Sequence, residues 1–374
     1  MTSLTATITP LENLNKAADL WSKVGASFEV PFFLSWDWIA AAAASASGQL
    51  FLAKFHNEQS GLVGGALFCQ VTEKRSGFVS SRQLRLHEFG QSAAETIVNE
   101  YNTILIDPSL EKAAWQALLK ALAANTAPSW DEVIVVNAVS TTEEMLNQLG
   151  AKIHRRAENQ SGWVDLTSLR KNGADSMDGY LAGLSRNTRG QIKRALRLYA
   201  ERGPVKISRA QTKEEAYVYL DSLAQLHEQK WAARGTSGGF ISQQHYLKFH
   251  RQMIEQCFDK GHVELLRASA GDNAFGWLHN YIDNGRILFN AGGFQTEADN
   301  KLKPGLVTQA LAIELHLQEG ANAYDFLAGG DRYKYSMGQI GPEMTSFAIQ
   351  NNSLPLKAER FARHIKQRLE AISQ

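Results

Sequence analysis

The residues best suited to chemistry lie in one short run near the C-terminus, Gly329-Gly330-Asp331-Arg332-Tyr333-Lys334. A carboxylate can take a proton from an amine, a phenol can donate one to a leaving group, and an ammonium can hold a carboxylate or a phosphate. The paired glycines let the backbone turn sharply after a strand, at a place where ligands often bind. The run is therefore a candidate for proton transfer. The structural alternative is a surface turn with a local salt bridge.

The segments before this run would position it. Arg286–Ala291 mixes branched and aromatic residues as strands do, and Gly292-Gly293 interrupts it. Lys303-Pro304-Gly305 suits a helix entrance, helical spacing of apolar residues continues to Gln318, and Ala323–Leu327 is a second strand. A helix start that faces a strand end, with unpaired amides near glycines and lysines, is a ready anion site. We predict that four residues here bind an anionic cofactor group: Lys303, Gly305, Leu306 and Val307.

Residues Leu184–Arg202 form a predicted helix whose two sides differ in charge. At about 100° per residue, one side gathers Arg186, Arg189, Lys193 and Arg197, and the other gathers Leu184, Ile192, Ala195 and Tyr199. One interpretation is a solvated basic side over a packed side. The other is a basic wall over a phosphate-bearing ligand, with Arg189 against the cofactor and Arg186 against the substrate. Both stay open, because four neighbouring cations repel one another and only Glu201 is close.

Four more residues are weaker candidates for substrate binding. Trp231, Tyr281 and Asn290 can line a groove, although aromatic residues at these spacings are more often core. Asp325 is polar inside an apolar strand, so it is either a buried hydrogen-bonding residue or part of the site.

The sequence predicts neither a metal site nor thiol chemistry. His227–Trp231 begins like a zinc helix but lacks the second histidine, and His245 and His250 do not share a helix face. Cys69 and Cys257 are far apart in apolar surroundings, which predicts buried, reduced thiols.

Three motifs in the second half of the chain resemble the CelD-like acetyltransferase family. They are Gly-Gly-Phe at 292–294, Pro-Gly-Leu-Val opening a helix at 304, and Tyr-Asp-Phe-Leu-x-Gly-Gly-Asp-x-Tyr-Lys-x-x-x-Gly at 324–338. The segment Ser185-Arg186-Asn187-x-Arg189 and Trp231 fit the same family, and the resemblance is best over 184–338. That family belongs to the GNAT superfamily and is related to the FemABX peptidyltransferases.

The resemblance implies acyl transfer from acyl-CoA, with Asp331, Tyr333 and Lys334 as catalytic residues. Asp331, or a water that it holds, would be the base and Tyr333 the acid, while the FemABX enzymes place a lysine like Lys334 near the acyl donor. The usual GNAT cradle reads Gln/Arg-x-x-Gly-x-Gly/Ala. Here Gly305 matches its first glycine, whereas Leu302 and Val307 depart from the pattern.

Composition excludes several other classes of protein. Lys+Arg 39 against Asp+Glu 38 gives a net charge of +1, which does not indicate DNA binding. The N-terminus has no basic and apolar leader, and no stretch approaches about 20 uninterrupted apolar residues. We therefore expect a cytoplasmic protein without an integral membrane segment.

The order of elements predicts an α+β fold of two tandem GNAT-like units, each a mixed, mostly antiparallel sheet flanked by helices. Residues 1–165 would form the N-terminal unit, 166–350 the C-terminal acetyltransferase unit, and 351–374 a basic amphipathic helix. Helix-helix, strand meander, helix and strand recur in both halves, although no strict sequence repeat accompanies them.

Three functions remain open on this basis. The first is an N-acyltransferase that moves an acyl group, in the first place acetyl from acetyl-CoA, to an amine of a sugar, amino acid or peptide, with no metal. The second is a FemX-like peptidyltransferase that uses aminoacyl-tRNA. The third is a non-enzymatic binding module in envelope polysaccharide assembly.

Overall fold

The computed structural model describes residues 3–75, 79–90, 95–124, 127–233, 235, 240, 244–329 and 332–359. The chain divides into two compact units, Met1–Glu158 with Met344–Gln374, and Asn159–Glu343. The divisions at 158 and 343 differ from the predicted 165 and 350. The physical reason is that Met344–Gln350 pairs with a strand of the first unit, Glu132–Val139, so the chain returns to that unit before its C-terminus.

The first half of the chain alternates short helices with strands. Its elements are β1 Leu4–Pro10, α1 Asn15–Gly25, α2 Trp36–Ala43, β2 Gln49–Asn57, β3 Gly61–Arg75, β4 Val79–Leu86, β5 Leu105–Ile106, α3 Glu111–Ala123, β6 Glu132–Val139, α4 Ser140–Gln148 and β7 Ile153–Asp165. The sequence analysis assigned no strand before Leu11. Residues Leu4 and Ile8 of β1 face inward while their neighbours are exposed, an alternation too short to stand out among the polar residues around it.

The second half repeats this order with longer helices. Its elements are α5 Leu166–Lys171, α6 Met177–Ala182, α7 Arg186–Ala200, β8 Val205–Arg209, α8 Lys213–Ala232, α9 Gln244–Cys257, β9 Val263–Ala270, β10 Asn273–Asp283, β11 Arg286–Phe294, α10 Pro304–Gln318, β12 Ala323–Ala328, α11 Arg332–Met337 and β13 Gln339–Gln350. Residues 354–359 are also helical, and the rest of the predicted C-terminal helix lies outside the described residues.

Both units have the same sheet topology. The strand order is β1-β2-β3-β4-β6-β13 in the first and β8-β9-β10-β11-β12-β7 in the second. Neighbours are antiparallel except for β4 with β6 and β11 with β12, which are parallel. A parallel neighbour requires a crossover, and α3 and α10 are the crossover helices. The predicted α+β fold of two similar units with mixed, mostly antiparallel sheets is thus confirmed.

The turn between β10 and β11 shows how local sequence fixes this topology. Asn284 and Gly285 both have positive φ, 50° and 77°, and Asp283 pairs with Arg286 across the turn. These are the features of a two-residue hairpin, which the Asn-Gly pair favours. The hairpin predicted at this position is confirmed.

Helix α10 is buried on most of its circumference. It packs on β10 and β11 on one side and is covered by α5, α6 and α7 on the other. Its buried side chains include Val307, Ala310, Ile313 and Leu317. A helix enclosed in this way has a rigidly placed N-terminus. Within the part of the chain that the structure describes, no helix is long and apolar enough to cross a membrane.

Candidate active site

The parallel strands of the second unit separate towards their C-terminal ends. Strands β11 and β12 pair only over Arg286–Leu288 and Ala323–Asp325, yet β11 continues to Phe294 and β12 to Ala328. A slot therefore opens between the two strands beyond Leu288 and Asp325. Open α/β sheets commonly bind ligands outside the carboxyl ends of parallel strands.

The N-terminus of α10 lies on the connection between these two strands. Lys303 caps it in the left-handed conformation, with φ 47°, and no side chain caps the helix. The first helical hydrogen bond runs from Val307 N to Lys303 O, at 3.1 Å, so the amides of Gly305 and Leu306 have no carbonyl partner within the helix. Amides of this kind at a helix N-terminus are the groups that bind anions in proteins generally, and the half-buried Lys303 lies beside them.

Of the four predicted cradle residues, Val307 has its side chain in the core, as does the preceding Leu302. Val307 and Leu302 are buried with Tyr199 and Phe275 in an apolar cluster. The departure of these positions from the GNAT cradle pattern has a physical reason, because their side chains anchor the helix entrance to the core. Val307 therefore holds the entrance in place, and Lys303, Gly305 and Leu306 form it.

Lys334 is folded back on the end of β12. Its ammonium donates to the carbonyl oxygens of Phe326 at 2.7 Å, Ala328 at 2.9 Å and Leu327 at 3.4 Å, and the side chain is buried. The enclosed backbone is unusual: Leu327 has φ 56° and Gly329 has φ 141°. A Cβ on Gly329 would lie 2.8 Å from the Lys334 nitrogen, and residues with a Cβ rarely adopt a φ of 141°, so the position favours glycine.

The structure describes only part of the remaining Gly329–Lys334 run. Tyr333, on α11, is half-buried, and its ring lies 6.1 Å from that of Phe326. Asp331 and Gly330 lie outside the described residues. The structure therefore brings Tyr333 and Lys334 to the β12 side of the slot.

Asp325 sits at the base of the slot. It is fully buried, binds the Arg286 guanidinium at 2.6 Å, and accepts a hydrogen bond from Leu327 N at 2.8 Å. Through these bonds it fixes the turn that Lys334 encloses. These contacts match the first interpretation of Asp325, a buried hydrogen-bonding residue.

Asn290 lies on the β11 side of the slot. The β10–β11 register shifts between His279 and Asn280, which leaves Asn290 as the extra residue of a β-bulge. Asn290 Nδ2 is 3.3 Å from His279 Nδ1, and Asn290 is half-buried, whereas His279 is fully buried.

Tyr281 and Trp231 belong to one aromatic cluster behind this bulge. The Tyr281 hydroxyl is 2.8 Å from His250 Nδ1, and Trp231 Nε1 donates to His227 Nε2 at 3.1 Å. Ring contacts through Phe240 join His227 to His250.

The sequence analysis missed two histidines of this cluster, His250 and His279. It weighed His250 only as a metal ligand beside His245 and did not consider His279. The available signal was a polar His279-Asn280 pair inside an otherwise apolar strand. Among the residues that the structure describes, no group of three His, Cys, Asp or Glu side chains could hold a metal ion.

The basic helix α7 presents the faces that periodicity predicted. Ile192, Ala195 and Tyr199 are buried, while Arg186 is exposed and Arg189 is half-buried. The Arg189 guanidinium donates to the Ala182 carbonyl oxygen at 3.1 Å. Lys193 pairs with Asp178 at 2.7 Å, which relieves part of the repulsion on this face.

The first unit has an equivalent slot, and its own chain fills it. Strands β4 and β6 pair only over Gln83–Arg85 and Glu132–Ile134. Beyond that point the buried Asn102 donates its side-chain amide to Leu86 O, at 2.9 Å, and its backbone N–H to Asn137 O, at 3.1 Å. Asn102 therefore joins the ends of the two strands.

Acidic side chains lie at the helix entrance of the first unit. Asp107 Oδ1 accepts from Ser109 N at 2.8 Å in the turn Pro108–Leu110 that precedes α3, and this turn keeps the pKa of Asp107 below its usual range. Glu111 adds a second acid in the first turn. Carboxylates at a helix N-terminus disfavour a further anion there.

Comparison with known proteins places these features in a class. Residues 186–335 match the family described as an acetyltransferase (GNAT) domain. The crystal structure of FemX has a TM-score of 0.55 at 12% identity, covering 92% of this chain and 98% of that chain. A conserved protein of unknown function from Bacteroides thetaiotaomicron VPI-5482 has a TM-score of 0.53 at 9% identity, covering 92% of this chain and 100% of that one. No curated protein sequence matches the chain.

The family match lies wholly within the second unit, which contains the open slot and the free helix entrance. Residues 186–335 therefore form a GNAT-type acetyltransferase domain, and the chain shares its fold with FemX.

Proposed function

We propose that the second unit transfers an acyl group, in the first place acetyl from acetyl-CoA, to an amine of a sugar, amino acid or peptide. One observation carries the proposal: the slot between β11 and β12 opens beside a helix entrance with unpaired amides, whereas Asn102 fills the slot of the first unit. Both units have the topology of the fold, and among the described residues the open slot and a crossover helix with no acidic residue in its first turn occur together in the second.

The donor would bind along the slot. The Gly305 and Leu306 amides and the Lys303 ammonium would hold the pyrophosphate of CoA, and Arg189 would add a cation from α7. The amide-bearing arm of CoA would pair with the backbone edges that β11 and β12 expose where they separate. CoA is a co-substrate here, and the proposed reaction needs no metal.

In the proposed reaction the acceptor nitrogen bonds to the thioester carbonyl carbon and the C–S bond breaks. Asp331, or a water that it holds, takes the proton that nitrogen loses. The sulfur keeps the electron pair of the broken bond and takes a proton from the Tyr333 hydroxyl. Lys334 would act by holding the end of β12, because three carbonyl oxygens accept from its ammonium.

The acceptor would bind across the mouth of the slot. Asn290 is half-buried at its β11 side, Trp231 is half-buried in the aromatic cluster, and Arg186 is exposed on α7 to meet anionic groups. Tyr281 and Asp325 are fully buried, so they would support the acceptor site without touching the acceptor.

Within the GNAT and FemABX group we assign the chain to the CelD-like family, acting in the cytoplasm in envelope or polysaccharide biosynthesis. The motifs at 292–294, 304–307 and 324–338 support that assignment. The FemX-like fold supports one alternative, in which the donor is an aminoacyl-tRNA and the acceptor a peptide precursor. A non-enzymatic binding module is the second alternative.

An assay of acyl transfer separates these functions. The purified chain is incubated with acetyl-CoA and glucosamine, lysine or glycylglycine, and acetylated product is detected by mass spectrometry. Acetylation of one amine, with stoichiometric release of CoA thiol, is expected. Release of uncharged tRNA from an aminoacyl-tRNA, with no use of acetyl-CoA, would instead establish the FemX-like reaction. Inactivity with both donors would favour the third function, a non-enzymatic binding module.

A further inference from the structure

The bulge on β11 sets the direction of one side chain. Asn290 is the extra residue opposite the shift between His279 and Asn280, and it lies two residues beyond Leu288, the last residue of β11 that pairs with β12. Bulges commonly re-aim a side chain next to an active site. Asn290 is therefore placed on the open part of the slot.

The donor and the acceptor in the hydrogen bond between Asn290 and His279 can be assigned. An amide nitrogen can only donate, so His279 Nδ1, 3.3 Å from Asn290 Nδ2, is the acceptor and the ring hydrogen lies on Nε2. The structure records no partner for Asn290 Oδ1 among the residues that it describes. The carboxamide is thus bound at its nitrogen, which leaves its oxygen available.

The histidines behind the bulge remain uncharged. Burial lowers the pKa of His279 to about 3, and burial together with His279 lowers the pKa of His250 well below its ordinary value. The His250 ring lies perpendicular to that of His279, 4.9 Å away, and the Tyr281 hydroxyl is hydrogen-bonded to it. A neutral His279 keeps its Nδ1 lone pair for Asn290 throughout the physiological range.

This arrangement costs stability. Nε2 of both His250 and His279 is buried, and neither has a hydrogen-bond partner in the described part of the chain. A buried polar atom left without a partner costs roughly 1–3 kcal/mol.

We propose that His279 is a positioning residue that holds the Asn290 amide, so that Asn290 Oδ1 accepts a hydrogen bond from the amine of the acceptor. This inference rests on the proposed function. A carboxamide oxygen carries no net charge, so it favours the ammonium form of the acceptor much less than a carboxylate would, and the ammonium has no lone pair for attack. The geometry therefore suits a nucleophilic primary amine.

The first test needs no turnover. Histidine-selective ¹⁵N NMR of the full chain reports which ring nitrogen carries the hydrogen. His279 is expected as the Nε2–H tautomer. His87 of the first unit is the matched control, because it is equally buried and its Nδ1 faces Asn102 Oδ1 at 3.2 Å, which requires the Nδ1–H tautomer. An Nδ1–H tautomer at His279 would overturn the proposal, since the amide nitrogen of Asn290 would then face the slot.

The second test is a double-mutant cycle with hydroxylamine and glucosamine as acceptors. His279→Phe is expected to raise the KM for the amine about tenfold, the value of one hydrogen bond, with the acetyl-CoA Kd unchanged. His279→Gln, which offers an oxygen to Asn290 Nδ2, should stay within about threefold of wild type. In the Asn290→Ala background, His279→Phe should change the KM by less than about twofold.

The outcomes separate this inference from the proposed function. A tenfold effect of His279→Phe that persists in Asn290→Ala would show that His279 acts independently of Asn290 and would overturn the inference. Failure of the wild type to bind acetyl-CoA would count against the proposed function. The tautomer measured by NMR would still show whether His279 holds the amide nitrogen of Asn290. His87→Gln should leave the KM for the amine unchanged.

Discussion

The Lys334 ammonium donates to the carbonyl oxygen of Phe326 at 2.7 Å, and this contact closes a turn at the end of β12. Two further carbonyl oxygens of the same turn accept from the ammonium. A lysine that the sequence marks as catalytic is therefore an internal support of the slot. Because it lies beside the slot, we expect activity to depend on it.

Replacement of Lys334 by methionine should affect both stability and activity. Three carbonyl oxygens, two of them buried, would lose this donor, and the free energy of unfolding should fall by about 1–3 kcal/mol. The turn would relax, and a shift of about 1 Å at the slot should lower kcat by about 100-fold. Urea denaturation and CoA release measure the two effects. Lys301→Met, at an exposed lysine, is the control, and a Lys334→Met enzyme with wild-type kcat would contradict this account.

Gly329→Ala should act through the same turn. Gly329 has φ 141°, and its Cβ would lie 2.8 Å from the Lys334 nitrogen, so we expect a loss of about 1–3 kcal/mol and a clear fall in kcat. Gly320→Ala is the matched control, because Gly320 also has positive φ, 87°, but its Cβ would meet nothing within 4 Å. Equal effects on kcat from the two variants would refute a specific role for the Lys334 turn.

Asn102→Ala should destabilise the chain without changing its affinity for acetyl-CoA. The variant removes the bond to Leu86 O and leaves buried groups of the first unit without a partner, at a cost of about 1–3 kcal/mol. Thermal unfolding and calorimetry provide the two readouts. A large loss of acetyl-CoA affinity in a folded Asn102→Ala protein would instead place the donor in the first unit.

Two buried glutamates of the first unit should respond to pH in opposite directions. Burial raises the pKa of Glu88 to about 7, only partly offset by Arg85 and Arg156. The unfolded chain releases this proton near pH 4.5, so Glu88 lowers stability as pH rises from about 4.5 to 7. Glu88→Gln should therefore stabilise the protein by about 3 kcal/mol at pH 8 and change little at pH 4.

Glu132→Gln is the contrasting variant in the same pH series. Burial opposes ionisation of Glu132, but the hydrogen bond from Arg75 and the charge of Arg156 outweigh it and lower its pKa. Its stabilising effect is present above about pH 4.5 and is lost as pH falls, so Glu132→Gln should cost about 3–5 kcal/mol near pH 7. Denaturant midpoints across pH 4–8 measure both variants. Parallel pH profiles for the two would show that the assigned charge states are wrong.

Local sequence patterns predicted much of the fold and one part of the site. Periodicity placed the faces of α7, the Asn-Gly pair placed the β10–β11 hairpin, and Pro304 with Gly305 placed the α10 entrance. Each of these depends on residues within a few positions of one another.

The features that sequence analysis missed depend on distant residues. The pairing of Met344–Gln350 with β6, the insertion of Asn102 between β4 and β6, and the contact of His279 with Asn290 are all long-range. They join residues 11 to 218 positions apart, the extremes being His279 with Asn290 and Glu132 with Gln350. No local periodicity encodes such contacts. The roles assigned to Asp331, Tyr333 and Arg186 stay predictions.

Calorimetric titration with acetyl-CoA tests the central claim, that the second unit alone binds the donor. The wild type should bind one acetyl-CoA per chain with micromolar affinity. Lys303→Glu, and Lys303→Glu with Arg189→Glu, should abolish binding, because a carboxylate at the α10 entrance repels the pyrophosphate. Lys112→Glu, an exposed position on α3 of the first unit, should leave it unchanged. Two sites per chain, unaltered affinity in the Lys303 variants, or no binding by the folded wild type would contradict the account.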